Sequence, residues 1–124
     1  MTRFLIIPIA VVALTALAFA TVNAYRVPTV QHAFVEERPA SVAAVDFTVD
    51  GLKCRGMSMT FAGQIAEVPG IVSLTTYVRT HTAIVEYDPT RTNPDAIREA
   101  FERPIVHEGE SYDVFRMLSA RQID

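Results

Sequence analysis

The stretch Val45–Gly70, VDFTVDGLKCRGMSMTFAGQIAEVPG, changes its hydrophobic period partway along, and that change decides the fold. In its first part Val45, Phe47 and Val49 alternate with Asp46, Thr48 and Asp50, a period of two that predicts a half-buried strand with the acidic residues on a solvated face. Gly51 ends it. After the loop Leu52-Lys53-Cys54-Arg55-Gly56, the apolar residues Met57, Phe61, Ile65 and Val68 fall at spacings of four, four and three, one buried face of a helix. Pro69-Gly70 stops that helix.

Downstream, the run Ile71 to Val78 is rich in β-branched and aromatic residues and reaches a polar tip at Arg79-Thr80-His81. Ala83, Val85 and Tyr87 alternate with Thr82, Ile84 and Glu86 on the return, so the two runs predict an antiparallel hairpin closed at Asp88-Pro89. Asn93-Pro94-Asp95 is a helix start: a capping side chain, a proline where a missing N–H costs least, and an acid in the first turn. Ile97, Ala100 and Phe101 form that helix's apolar side, and Pro104 ends it. Then come Ile105-Val106-His107, a tight turn at Glu108-Gly109-Glu110, and Tyr112 to Leu118, which reads as a strand or hairpin arm. The expected order is βαββαβ with a C-terminal extra. One four-stranded antiparallel sheet with two helices on a single face, an α+β fold, satisfies every period. In that arrangement His81 is expected at the end of the sheet remote from Cys54.

Upstream, Tyr25 to Ser41 has no sustained period, and its prolines and the Glu36-Glu37-Arg38 cluster read as a stalk, residues 25–41. Residues 1–24 read as a membrane anchor. Phe4 to Val22 is apolar apart from two threonines, and at the helical rise it extends about 28 Å, close to a bilayer's hydrocarbon thickness. The rival is a secretory signal cleaved after Ala24, against which the length of the apolar run counts. Arg3 is the flanking charge at the N-terminus and favours that end staying cytoplasmic, with the domain, residues 42–124, on the periplasmic or extracytoplasmic side.

Composition removes several function classes. The chain of 124 residues carries a net charge of −3 with scattered basic residues, so it lacks the basic stripe that tracks a nucleic acid backbone. Its single cysteine, Cys54, excludes an intramolecular disulfide and leaves a Cys54-linked dimer open in an oxidising compartment. No nucleophile elbow, Gly-rich phosphate loop or Ser/His/Asp set is present, and the expectation is a protein that is not an enzyme. His107-Glu108 is not a zinc motif, because Ser111 stands where a second histidine would be needed.

Three segments in order, Gly51-Leu52-Lys53-Cys54-Arg55-Gly56-Met57, Val68-Pro69-Gly70-Ile71 and Val85-Glu86-Tyr87-Asp88-Pro89, resemble the heavy-metal-associated domains of copper chaperones, metal-pumping ATPases and periplasmic mercuric-ion-binding proteins. The resemblance implies a ferredoxin-like βαββαβ sandwich, here with an N-terminal transmembrane helix and a C-terminal extension from about residue 104. It also implies a metal loop opening the first helix. The family's pair of cysteines is reduced here to Cys54, with Met57 in the second position. One thiolate beside a helix N-terminus and one thioether form a soft set suited to Cu(I). Met57 equally fits core filling, four residues before Phe61.

The expected function is a membrane-tethered module that holds or passes a soft ion through Cys54 and Met57, working with a membrane transporter or multi-subunit membrane complex. The alternative is a metal-free accessory subunit of such a complex.

Overall fold

The computed structural model describes residues 9–18 and 27–123. Residues 9–18 are helical. No helix among the described residues is long and apolar enough to cross a membrane. The expected anchor, 4–22, is described only at 9–18; its other residues and the cleavage position at Ala24 lie outside the described ones.

Within 27–123 the strands are β1 (Val30–Ala33), β2 (Ala43–Asp50), β3 (Ile71–Tyr77), β4 (Thr82–Tyr87), β5 (Ile105–His107), β6 (Glu110–Tyr112) and β7 (Arg116–Ile123). The helices are α1 (Arg55–Ala66) and α2 (Pro94–Glu102). Five strands form an antiparallel sheet in the order β1-β3-β4-β2-β7, and β5-β6 is a separate hairpin. Strands β2, β3, β4 and β7 with the two helices make the βαββαβ sandwich.

Both periods act as expected. Val45, Phe47 and Val49 on β2 and Ala83, Val85 and Tyr87 on β4 are buried, and Phe61 and Ile65 of α1 close over them with Ile97 and Phe101 of α2. Phe101 packs edge-on against Phe47 with ring centroids 5.1 Å apart and lies 4.8 Å from Phe61, which meets Phe115 edge-on at 5.2 Å. Such pairs add about 0.5–1.5 kcal/mol each beyond burial alone.

Two expectations about the strands are corrected. The sheet has five strands, not four, because Val30–Ala33, expected in the stalk, pairs antiparallel with β3 from Val30↔Thr76 to Ala33↔Ser73. The strand beside β2 is also not the run after Pro104. Residues 105–112 turn back on themselves through Glu108 and Gly109, both at positive φ as a two-residue type I′ turn requires. The chain reaches β2 only with Arg116–Ile123.

Asp46 departs from the solvated face assigned to it. Its strand lies between β4 and β7, so neighbours crowd it on both sides; its side chain is 13% exposed, Arg121 approaches one oxygen at 3.5 Å, and the other is buried without a hydrogen-bond partner.

The end of the sheet away from Cys54 is held by polar contacts. Asn93 caps α2 by accepting the Ala96 N–H at 2.9 Å. The Arg38 guanidinium and the Ser73 hydroxyl both donate to Glu86 and hold its carboxyl below the usual range. Asp88 accepts from the Thr90 hydroxyl and N–H, which lowers its carboxyl likewise.

Candidate functional site

The loop Gly51–Cys54 leaves the end of β2 and enters α1. Gly51 has φ +100, and a Cβ there would lie 2.1 Å from the carbonyl oxygen of Val114, so only glycine lets the C-terminal segment pass this close. Leu52 is fully buried and pins the loop to the core. Lys53 and Cys54 are exposed.

Cys54 is the N-cap of α1. Its backbone is extended (φ −152, ψ 172), its carbonyl accepts the Ser58 N–H at 3.0 Å, and its side chain caps nothing. The thiol therefore sits free and exposed at the N-terminal end of the helix. Helix position is fixed from below: Ser58 and Thr76 are fully buried, and the Thr76 hydroxyl donates to the Ser58 hydroxyl at 2.9 Å, tying the first turn of α1 to β3. Met57, in that same turn, is half-buried and packed against the core. Cys54 thus offers its sulfur to solvent, while Met57 is partly committed to packing.

His81 corrects its expected remoteness. The helical crossover from β2 to β3 makes these strands parallel, with β4 between them, so β2 and β3 end on the same side and the β3–β4 tip stands beside the Cys54 loop. His81, in the left-handed region at φ 55, follows the 3-10 turn Val78–Thr80. Its carbonyl accepts the Val49 N–H at 2.8 Å, and its Nδ1 lies 3.0 Å from the Leu52 carbonyl oxygen. A carbonyl only accepts, so Nδ1 carries the proton and donates. His81 therefore clasps both sides of the turn that precedes Cys54. Strand direction alone carried the signal for this residue.

The other expected residues do not join the site. His32 lies on β1, where its ring meets Phe34 edge-on at 4.6 Å, and His107 lies on β5 with Glu108 at 3.8 Å. Among the described residues no group of three or more His, Cys, Asp or Glu side chains is arranged to hold a metal ion. What the loop offers chemically is one accessible thiol, with the half-buried Met57 three residues on in the first turn of the helix.

The family profile of the heavy-metal-associated domain matches residues 46–108, from within β2 to the turn of the β5–β6 hairpin. Copper-transporting ATPase 1 of Rattus norvegicus is 33% identical over 58 residues, which is 47% of this chain and 4% of that protein. Copper-transporting ATPase 1 of Mus musculus is 29% identical over 68 residues, 55% of this chain and again 4% of the relative. The chain thus spans a small fraction of the length of these relatives.

Proposed function

The chain belongs to the heavy-metal-associated domain family, and from that premise we propose that it holds or passes a soft metal ion, Cu(I), through Cys54 with Met57, at the outer face of a membrane. Heavy-metal binding or transfer is the activity to which the family match and the copper-transporting relatives point. The observation that carries the assignment to this loop is the exposed Cys54 thiol at the start of α1, inside the matched region. An ion handed from protein to protein needs a ligand that a partner's sulfur can reach, and this thiol is reachable. The module does not catalyse; its partner is a membrane transporter or a multi-subunit membrane complex.

The tether is the apolar run 4–22. Support comes from its length, from Arg3 at its N-terminal flank, and from Ile9, Val11, Val12, Leu14 and Leu17, all more than half exposed. Arg3 favours a cytoplasmic N-terminus and a periplasmic domain.

Competition with a Cu(I) chelator tests the metal reading. The wild-type chain should withdraw Cu(I), Cys54→Ser should lose at least about tenfold in affinity, and Met57→Leu should lose less. No uptake by wild type, or full uptake by Cys54→Ser, overturns it.

A second reading, a metal-free accessory subunit, is favoured by the half-burial of Met57 and the hairpin that ends the family match. It predicts co-purification with a membrane assembly in mild detergent, and a chain running alone would sink it. Non-reducing electrophoresis shows whether the exposed Cys54 joins two copies.

A further inference from the structure

The chain enters the domain at the same end that carries Cys54. Thr29 donates its N–H to the Thr76 carbonyl at 2.7 Å, its hydroxyl accepts the Val78 N–H at 3.1 Å, and the Arg55 guanidinium reaches its carbonyl at 3.4 Å. Thr29 is therefore fixed beside the first residue of α1 and the β3–β4 tip. Between Val22, the last residue of the apolar run, and Thr29 lie seven residue steps, which extend at most about 25 Å. That is about the length of β2 itself, eight residues at ~3.3 Å each. A tether so short, attached there, keeps the Cys54 end near the membrane and leaves the other end free to stand away from it.

Charge distinguishes the same end. Among the described residues Arg38, Arg98, Arg103 and Arg121 are each in an ion pair with a carboxylate. Arg91, at the opposite end beside Gly70, and Lys53, Arg55, Arg79 and Arg116 are exposed and in none; the last four lie at the Cys54 end. These four surround the loop: two flank Cys54, one lies in the turn before His81, and one opens β7 opposite Asp50. Asp50 and Asp113, next to Val114, oppose them and leave the end net positive.

We propose that the domain stands on its own membrane by this end, with Lys53, Arg55, Arg79 and Arg116 on the anionic headgroups and Cys54 held at the bilayer surface. This rests on the reading of residues 4–22 as a tether. Each cation close to an anionic leaflet adds attraction that falls off within a Debye length, so the orientation is sensitive to salt and lipid charge. Held there, the thiol faces ligands at the mouth of a membrane-embedded protein, and an exchange of metal needs no free diffusion of the domain.

The test uses the full chain in vesicles of phosphatidylcholine alone or mixed with phosphatidylglycerol. A nitroxide is placed on Cys54 or, in a Cys54→Ser background, on Ala66→Cys at the far end of α1. Collision with a water-soluble nickel chelate is the readout. In the anionic vesicles the Cys54 label should be at least about threefold less accessible than the Ala66→Cys label, and high salt should erase the difference. Replacing the four cations by glutamine should erase it as well, and it should be weaker in phosphatidylcholine alone. Equal accessibility in anionic vesicles overturns the proposal and leaves the cations to an acidic protein surface. A chain that alkaline carbonate strips from the vesicles loses the tether reading, and this inference with it, an outcome distinct from an inserted chain with both labels open.

Discussion

The two ends of the sheet are built on different principles. At the far end, Asn93 caps α2, Asp88 closes a turn on Thr90, and Glu86 takes hydrogen bonds from Arg38 and Ser73. At the Cys54 end the helix cap makes no side-chain bond and four cations lack ion pairs, while backbone fit, His81 and the buried Ser58–Thr76 hydrogen bond impose the order. Asn93, Asp88 and Glu86 are engaged with neighbours that stabilise the first end, although the Thr92 hydroxyl there is buried without a partner. Groups left unsatisfied at the second remain available to a ligand.

Glycine substitutions should break this contrast most sharply. Gly51→Ala brings a Cβ against backbone at 2.1 Å, whereas Gly70→Ala, also at positive φ, meets the Arg91 Cβ at 2.8 Å. We expect a loss of about 3–4 kcal/mol for the first and about 2 kcal/mol for the second, read from urea midpoints. Equal losses would mean that the C-terminal segment does not bear on the loop.

Caps give the next effect, with opposite signs. Asn93→Ala should cost about 1 kcal/mol, while Cys54→Ser should gain about 0.5 kcal/mol because a serine hydroxyl can accept the helix N–H that the thiol ignores. A loss of stability in Cys54→Ser would contradict the free thiol described above. His81→Ala removes the bond to the Leu52 carbonyl and should cost about 1 kcal/mol while speeding alkylation of Cys54. His81→Asn, which tolerates the same backbone, should recover part of the stability.

The smallest effect concerns acid. Glu86 titrates lower in the folded chain than in the unfolded one, so its contribution is fully present above the ordinary glutamate range and is lost as pH falls through the depressed value. Stability against urea should fall on acidification below about pH 4.5 more steeply in wild type than in Glu86→Gln. Identical pH profiles would remove the Arg38–Glu86 pair from the account of the far end.

Much of the fold is legible in the amino-acid sequence. Alternation in β2 and β4, the three-and-four spacing of α1 and the Asn-Pro-Asp start of α2 all carry burial on one face, and burial leaves a period in the sequence. Edge strands leave none. In β1 only Val30 is buried, and β7 is exposed along most of its length, so both are fixed by ladder hydrogen bonds that any residue but proline can make. Cys54 announced itself by its position before a helix. His81 did not, since its role depends on which strand ends lie together and on a carbonyl far away in sequence.

The pairing of β2 with β7 joins Ala44 to Ile123, nearly opposite ends of the folded region. The two strands are far apart in sequence, so the cost of closing a long loop must be met before their pairing forms. Without Arg116–Ile123, β2 would present a bare edge able to pair with another chain. Strand β7 thus also shields the edge of β2 from pairing with other chains.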